Sequence, residues 1–319
     1  MDFDLSQVRA FVTAAEEAHF GRAAARLFLT QQALSKRIKR LELMLGTALF
    51  DRGPAGVALS EAGRRFLPHA NGLLLAAESA AAALGVPGRP LRVDVGGQAW
   101  RPLRIIRRLV AERPELLIDV SMRRSMTAAL DALDRNQLDA GFGRVQDLDT
   151  PWPTALSSRP VMLERLAVAV PAGDRLADAG SLRPPDLRGS RVWMPAGGSP
   201  TELLALYRRY ADRFSLTLDT DGMNLGLEEA ISRLRQQPDR LMLLGEDWQL
   251  PPGCGVRLVP LRPAPCYLWS LVSRRADRQP LLSLLHGLIA GSAHREGWLR
   301  HHPDRDWLPD VDLATLDDG

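Results

Sequence analysis

The chain has 319 residues, a length that favours two or three domains over one. Its composition, 45% hydrophobic and 25% charged, is that of a globular protein with buried cores, and the net charge of +3 is too small to identify a nucleic-acid partner. No apolar run approaches the ~20 residues of a membrane span. The N-terminus lacks the pattern of a signal peptide. We therefore expect a cytoplasmic protein with no membrane partner.

Charge is distributed unevenly along the chain. Residues 18–41 contain no acidic residue, whereas residues 303–319 contain six aspartates and one arginine. A locally basic segment is the electrostatic footprint of a phosphate-binding surface, although a solvated helix face has the same composition. We expect the acidic segment 303–319 to be a mobile tail.

Apolar spacing predicts three helices before residue 47. The first covers Leu5–Phe20 and is interrupted by Gly21, and a short helix, Arg22–Phe28, follows it. Thr30 is a candidate N-cap for the third helix, which Gly46 should end. The predicted apolar face of that helix consists of Leu34, Ile38, Leu41 and Leu45. Two short helices joined by a tight turn form a helix-turn-helix pattern.

A hairpin and a long helix follow the helix-turn-helix pattern. Two short apolar runs, 48–50 and 57–59, flank a Gly/Pro-rich turn and predict a β-hairpin wing. Ser60 then opens a helix whose apolar residues are spaced four and three apart, as in a helix that pairs with its own copy. These residues are Phe66, Ala70, Leu73, Ala77, Ala80 and Leu84. A seam packed within the same chain is the alternative. Residues 85–90 read as a linker.

From Leu91 onward, strand patterns alternate with helix patterns, which predicts an α/β fold with a parallel sheet. Open α/β sheets bind ligands beyond the carboxyl ends of their strands, where helix N-termini offer free N–H groups. The candidate contacts at three such strand ends are Gln98, Ala99, Trp100, Thr127, Ser199 and Thr201. Helix capping is the alternative role for the polar residues among them.

The third helix has the composition of a DNA recognition helix. Gln31, Gln32, Ser35 and Lys36 cluster near its N-terminus, opposite the apolar face. Glutamine can make a bidentate contact to adenine, and lysine can reach guanine or a phosphate. Arg52 in the wing is a candidate for a phosphate or minor-groove contact. The remaining candidate DNA contacts are Arg22, Thr30, Arg37 and Arg40.

Over about residues 3–65 the sequence resembles the LysR-type transcriptional regulators. The signature stands here as Thr30-Gln31-Gln32-Ala33-Leu34-Ser35-Lys36-Arg37-Ile38, Leu41-Glu42, Gly46, Leu49-Phe50, Arg52 and Leu59-Ser60-Glu61-Ala62-Gly63. Gln32 stands where proline is common, and Ser60 stands where threonine is common. The hydroxyl of serine or of threonine can cap a helix, so Ser60 is compatible with the family pattern.

The resemblance implies a winged helix-turn-helix in residues 1–60, a dimerisation helix in 61–89 and an effector-binding domain in 90–302. That domain would have two α/β lobes of the periplasmic-binding-protein type, lobe I at about 90–163 and 267–302 and lobe II at about 164–266. The implied partners are double-stranded DNA, a small-molecule effector and further copies of the chain in a homodimer or homotetramer. RNA polymerase is a further candidate partner, and neither a cofactor nor an enzyme activity is implied.

Arg144 matches the position that contacts anions in family members that sense aromatic acids, so the resemblance favours a carboxylate effector. The alternative is that Arg144 pairs with Asp147 or Asp139 and braces its loop. The alternative functions are a periplasmic-type binding protein without DNA function and an α/β enzyme fused to a DNA-binding head. Cys254 and Cys266 have two possible roles, as a redox pair or as buried structural residues. Their spacing favours the structural role. The sequence shows no catalytic fingerprint and no metal-binding motif.

Overall fold

The computed structural model describes residues 4–53, 56–82, 89–277 and 279–317. Contacts between Cα atoms divide the chain into two units. The N-terminal unit comprises residues up to 89 with the short segments 135–137 and 277–283, and the C-terminal unit comprises the remainder. Among the described helices, none combines the length and the apolar character that a membrane span requires.

The described residues of the N-terminal unit up to residue 82 form four helices and a β-hairpin. In chain order its elements are α1 (Leu5–Glu17), α2 (Phe20–Arg26), α3 (Gln31–Leu45), β1 (Phe50–Gly53), β2 (Gly56–Leu59) and α4 (Glu61–Ala82). The predicted caps of α3 are confirmed. The Thr30 hydroxyl accepts a hydrogen bond from the Ala33 amide at 3.2 Å, and Gly46 ends the helix at a φ of 68°.

The predicted break at Gly21 is wrong. Helix α1 ends at Glu17, because Ala18 adopts a left-handed φ of 47°. Helix α2 already contains Gly21, since the His19 ring nitrogen accepts hydrogen bonds from the amides of Gly21 and Arg22 at 3.0 and 3.2 Å. A histidine side chain thus caps α2 and places its start before the glycine.

Aromatic and aliphatic side chains form the core of the N-terminal unit. The Phe11 ring lies 5.4 Å from the rings of both Phe50 and Phe66, and the Phe20 ring lies 5.5 Å from that of Phe50. The predicted apolar residues Leu34, Ile38 and Leu41 are fully buried in this core. Burial of their side chains, worth roughly 1.5–3 kcal/mol each, holds α3 with its polar face outward.

The junction between the hairpin and α4 explains the Leu-Ser-Glu-Ala-Gly element. The Ser60 hydroxyl donates to the Ala48 carbonyl at 2.7 Å and accepts from the Gly63 amide at 3.0 Å. A Cβ atom added at Gly63 would lie 2.1 Å from the Leu49 carbonyl oxygen. Only glycine allows α4 to approach the wing this closely.

The C-terminal unit contains two α/β lobes. Lobe one contains β3 (Leu91–Asp94), α5 (Arg101–Glu112), β4 (Ile118–Ser121), α6 (Met126–Asp134) and β5 (Ala140–Gly143). Lobe two contains β7 (Arg191–Trp193), α7 (Thr201–Phe214), β8 (Thr217–Asp219), α8 (Leu227–Gln236), β9 (Arg240–Gly245) and β10 (Val256–Pro260). The remaining elements are β6 (Leu156–Pro171), β11 (Ala264–Arg274), α9 (Pro280–Glu296), β12 (Asp306–Trp307), α10 (Asp310–Asp317) and a 3-10 helix at Pro184–Leu187.

Two long strands connect the lobes. The strand order β4-β3-β5-β11-β6-β9-β7-β8 is parallel at both ends and antiparallel at the centre, where β11 pairs with β5 and β6. The first part of β6 pairs with β11, and its last part pairs with β9 and β10. The chain therefore crosses between the lobes on β6 and returns on β11, so the carboxyl ends of both sets of parallel strands face the same region.

The expectation of a mobile tail is wrong for residues 306–317. Asp306 and Asp312 are buried, and Leu308 packs against Leu163 and Leu268. The Arg165 guanidinium pairs with Asp306 at 2.6 Å. Acidic residues fold here because arginines elsewhere in the C-terminal unit supply the opposite charge, and a buried carboxylate requires such a partner.

Candidate functional sites

The outer face of α3 presents polar and basic side chains on one shallow concave surface, which we call the α3 outer face. It is lined by Gln31, Gln32, Ser35, Lys36 and Lys39. The opposite face of the helix is buried in the core of the N-terminal unit. The sequence-predicted cluster near the helix N-terminus therefore lies together on one accessible surface.

The basic side chains of α3 are not held in ion pairs within the described part of the unit, although Arg37 and Arg40 interact electrostatically with Asp4. Over residues 4–53 and 56–82, no ion pair involves Lys36, Arg37, Lys39 or Arg40. Glu42, the acid on the same helix, is turned toward the wing, where its carboxylate accepts from the Leu49 amide at 2.8 Å. The α3 outer face therefore has the free positive charge that a polyanion would meet.

A cavity of about 540 Å³ lies between the two lobes of the C-terminal unit. Its walls come from the loop after β3, the segment after β4, the first turns of α7 and the end of β9. Most of the lining is apolar, and its amide and charged side chains are those of Gln98, Arg124 and Asn224. A volume of this size suits a small organic molecule.

Aromatic side chains form one wall of the cavity. The Trp100 ring lies 4.8 Å from that of Trp248 and 5.3 Å from that of Trp269, both in edge-on geometry. Glu164 fixes two of these rings, because its carboxylate accepts from the indole N–H of Trp248 at 3.1 Å and of Trp269 at 2.7 Å. A Cβ at Gly245 would lie 2.6 Å from the Glu164 carboxylate, so glycine is needed there.

Burial dominates the electrostatics of Glu164. The residue is 2% exposed, and loss of hydration raises its pKa to about 7 against the opposing effect of the two indole hydrogen bonds. The buried carboxyl group therefore changes its charge near neutral pH, directly behind the aromatic wall.

Two family descriptions match the sequence. Residues 5–64 match the bacterial regulatory helix-turn-helix proteins of the lysR family, and residues 85–293 match the LysR substrate binding domain. The chain belongs to the LysR family. The matched ranges coincide with the N-terminal unit and with most of the two-lobed C-terminal unit.

Curated relatives of this LysR-family chain are transcriptional regulators. XapR of Escherichia coli strain K12 is 38% identical over 181 residues, which cover 54% of this chain and 60% of XapR. ClcR of Pseudomonas putida is 35% identical over 171 residues, which cover 51% of this chain and 56% of ClcR. The chain thus matches somewhat more than half the length of these relatives.

Solved LysR-family structures share the fold. A full-length OxyR variant from Pseudomonas aeruginosa has a TM-score of 0.66 at 20% identity, covering 92% of this chain and 95% of that one. Full-length CbnR complexed with its target DNA has a TM-score of 0.54 at 20% identity, covering 91% of this chain and 100% of that one. The predicted arrangement, a winged helix-turn-helix followed by a two-lobed α/β domain, is confirmed by these matches.

The other predicted DNA contacts of this LysR-family chain lie in different settings. The Arg22 side chain is 63% exposed and pairs with Glu17 at 3.4 Å. Thr30 uses its hydroxyl as the cap of α3. The backbone of Arg52 lies in β1, but its side chain is outside the part of the structure that is described. A role in DNA contact stays a prediction for all three.

The predicted effector contacts divide into two groups. Gln98, Ala99 and Trp100 line the cavity. Among the described residues of the cavity wall, Thr127, Ser199 and Thr201 do not occur. The Thr127 hydroxyl donates to Asp149 at 2.8 Å, and the Ser199 hydroxyl accepts from Asn224 at 3.1 Å. These two hydroxyls brace loops beside the cavity.

Arg144 is completely engaged inside the protein. Its side chain is fully buried, and its guanidinium donates to Asp312 at 2.8 Å, to Asp147 at 2.7 Å and to the Gln146 and Glu202 carbonyls at 3.0 and 3.2 Å. Although burial opposes it, the pairing with Asp312 and Asp147 raises the pKa of Arg144. These contacts agree with the alternative in which Arg144 pairs with Asp147 and braces its loop, and they add Asp312 as a second partner. They leave no guanidinium donor directed at the cavity.

Sequence reasoning missed Arg124, the cation that does line the cavity. It is exposed, adopts a left-handed φ of 68°, and has no ion-pair or hydrogen-bond partner among the described residues. The available signal was its position three residues after the end of β4, at the carboxyl end of a parallel strand. Both cysteines are free, and burial raises the pKa of the Cys266 thiol.

Proposed function

We propose that this protein is a DNA-binding transcriptional regulator whose action at its operator is controlled by a small-molecule effector bound between the lobes. The observation that carries the proposal is the α3 outer face, a recognition-helix surface with unpaired positive charge, on a chain that also contains an organic-ligand cavity. CbnR, which shares the fold, is known in complex with its target DNA. Catalysis forms no part of the proposal.

The direct test is a footprinting experiment on the DNA upstream of the protein's own gene and of the neighbouring genes, with the full chain. Protection of a short two-fold symmetric site is expected, because a dimer reads two half-sites. Absence of any protected site, with ligand binding retained, would instead favour the binding-protein alternative. We place the protein in the cytoplasm, where DNA is available, with RNA polymerase as the further partner that activation requires.

Base reading by Gln31 is the first specific prediction. Gln31→Ala should cost about 1–3 kcal/mol of binding free energy at one base position, because a bidentate contact to adenine is lost. Lys39→Ala is the matched control on the same surface, and it should weaken binding to all sequences and reduce the salt slope by about 1. The measurement is a salt titration of Kd for operator and random DNA. Equal losses on both DNAs for Gln31→Ala would refute the base-reading role.

Self-association through α4 is the second prediction, and the burial of individual residues limits which part of the helix is available for pairing. Phe66 and Ala70 pack within the N-terminal unit, so this part of the predicted seam serves its own chain. Leu73 is 38% exposed, and Ala80 is also exposed. Leu84 lies outside the described residues. We propose that the exposed part of α4, from Leu73 onward, packs against a second copy in a homodimer or homotetramer.

Leu73→Asp should dissociate the dimer, because it buries a charge without a partner in the seam. Gly72→Asp is the matched control, since Gly72 is exposed, lies off the seam and has no atom within 4 Å of an added Cβ. Sedimentation equilibrium should give half the mass for the first variant and an unchanged mass for the second. An unchanged mass for both variants would locate the interface elsewhere.

A further inference from the structure

Glu202 connects the two lobes at the inner end of the cavity. It lies in the first turn of α7 in lobe two, is 1% exposed, and its Oε1 accepts from the Met126 amide of lobe one at 2.8 Å. This bond occupies the N-terminus of α6, one of the helix ends at which the sequence predicted ligand contacts. The other oxygen, Oε2, is buried and has no hydrogen-bond partner among the described residues.

A small pocket adjoins this carboxylate. Glu202 lines it together with Phe142, Tyr267 and Trp269, and its volume is about 10 Å³. It shares Gly96, Trp100, Arg124, Pro200 and Leu203 with the 540 Å³ cavity, so it forms the inner end of that cavity. A space of this size holds one group about as large as a water molecule.

The chemistry of the inner end selects one kind of group. When Glu202 is ionised, its unpaired buried oxygen is a strong acceptor and repels another anion, whereas burial raises the pKa of this carboxyl group. Arg144 cannot attract a ligand carboxylate, because its guanidinium is saturated by Asp312, Asp147 and two carbonyls. The rings of Trp100 and Trp248, which meet edge-on at an interplanar angle of 87°, offer apolar surface beside the pocket. A ligand that satisfies both features needs an apolar body and a small donor.

We propose that the effector is a mainly apolar molecule that inserts an amine or hydroxyl donor, and not a carboxylate, against Oε2 of Glu202. The proposal rests on the effector cavity of the proposed function. Glu202 is then a specificity-determining residue that the sequence analysis did not find. The cation available to a ligand carboxylate is Arg124, which lines both the larger cavity and the small pocket.

Three probes of similar size test the proposal: benzylamine, benzyl alcohol and benzoate. All seven tryptophans lie after residue 99, and Trp100 and Trp248 line the cavity, so tryptophan fluorescence of the full chain follows binding. We expect benzyl alcohol and benzylamine to bind at least about tenfold more tightly than benzoate, the worth of one hydrogen bond to a charged group. Because this ranking is measured on the unaltered protein, it does not depend on the folding of a variant.

The variant Glu202→Gln is expected to replace the acceptor Oε2 by a hydrogen-bond donor. The Met126 amide requires an acceptor, so the glutamine carbonyl takes that bond and its NH2 group replaces Oε2. The donor probes should lose about tenfold in affinity, and benzoate should gain. Glu228→Gln is the matched control, an exposed carboxylate in the first turn of a helix of the same lobe, and it should leave the ranking unchanged.

Three results would each overturn the proposal: benzoate binds as tightly as benzyl alcohol, none of the three probes binds, or Glu202→Gln leaves the ranking unaltered. The pocket would then be the site of a structural water only. Footprinting separates this failure from failure of the proposed function. An intact footprint beside a failed probe ranking rejects the ligand chemistry alone, whereas a missing footprint rejects the regulator itself.

Discussion

Asp312→Ala should lower the free energy of unfolding of the C-terminal unit by about 3–5 kcal/mol, the cost of leaving a buried charge without its partner. Arg144 and Asp312 are both fully buried, and their side chains are joined by hydrogen bonds of 2.8, 3.0 and 3.1 Å. The guanidinium cannot release its proton at any accessible pH, so removal of the carboxylate leaves a charge that the interior cannot solvate. Asp147 remains as a partial partner.

Asp310→Ala is the control for this experiment. Asp310 lies on the same helix, but its side chain is exposed, so its loss should cost less than about 1 kcal/mol through the helix dipole. Urea denaturation followed by tryptophan fluorescence reports on the C-terminal unit, because all seven tryptophans lie after residue 99. Similar losses for the two variants would show that the tail is not held by the buried pair.

The second large effect is a pH dependence that we assign to Glu164. Burial raises its pKa to about 7 in the folded protein from the ordinary 4.5, so the folded state holds its proton more tightly than the unfolded state. The stabilisation from this group is complete below about pH 4.5 and is lost as the pH rises through 7. Over that range the free energy of unfolding of the C-terminal unit should fall by up to about 3 kcal/mol.

Comparison of the wild-type protein with Glu164→Gln isolates this contribution. The glutamine side chain does not titrate, so the difference in unfolding free energy between pH 5 and pH 8 should be smaller in the variant by up to about 3 kcal/mol. All other titrating groups contribute to both proteins. Urea denaturation at the two pH values, again by tryptophan fluorescence, provides the four free energies. Equal pH dependence in the two proteins would assign the titration to another group.

The N-terminal unit could be predicted from the sequence because its signals are local. Thr30, Gly46 and the apolar spacing of Leu34, Ile38 and Leu41 determine the ends and the buried face of α3 within a few turns of chain. The side chains of the α3 outer face follow, because they occupy the opposite side of the same helix. The break after α1 was misplaced because a histidine cap has a weaker sequence signal than a glycine.

The polar contacts of the C-terminal unit could not be predicted in this way. Asp312 lies 168 residues from Arg144, and Trp248 and Trp269 lie 84 and 105 residues from Glu164. No periodicity or capping rule relates residues at such separations. The strand-end rule identified the loop that carries Gln98 and Trp100, yet it selected Thr127 and Ser199, whose hydroxyls turn to nearby partners.

The pairing of Arg144 with Asp312 also limits when the C-terminal unit can complete its folding during synthesis. A ribosome makes the arginine 168 residues before its carboxylate partner. Until that partner emerges, only Asp147 and nearby carbonyls compensate for enclosing the guanidinium, so burial of this region is less favourable in the nascent chain. Contacts of such long sequence separation form late and slowly, and the apolar strands around them stay exposed in the meantime. We therefore expect the newly made chain to be most prone to aggregation during this interval.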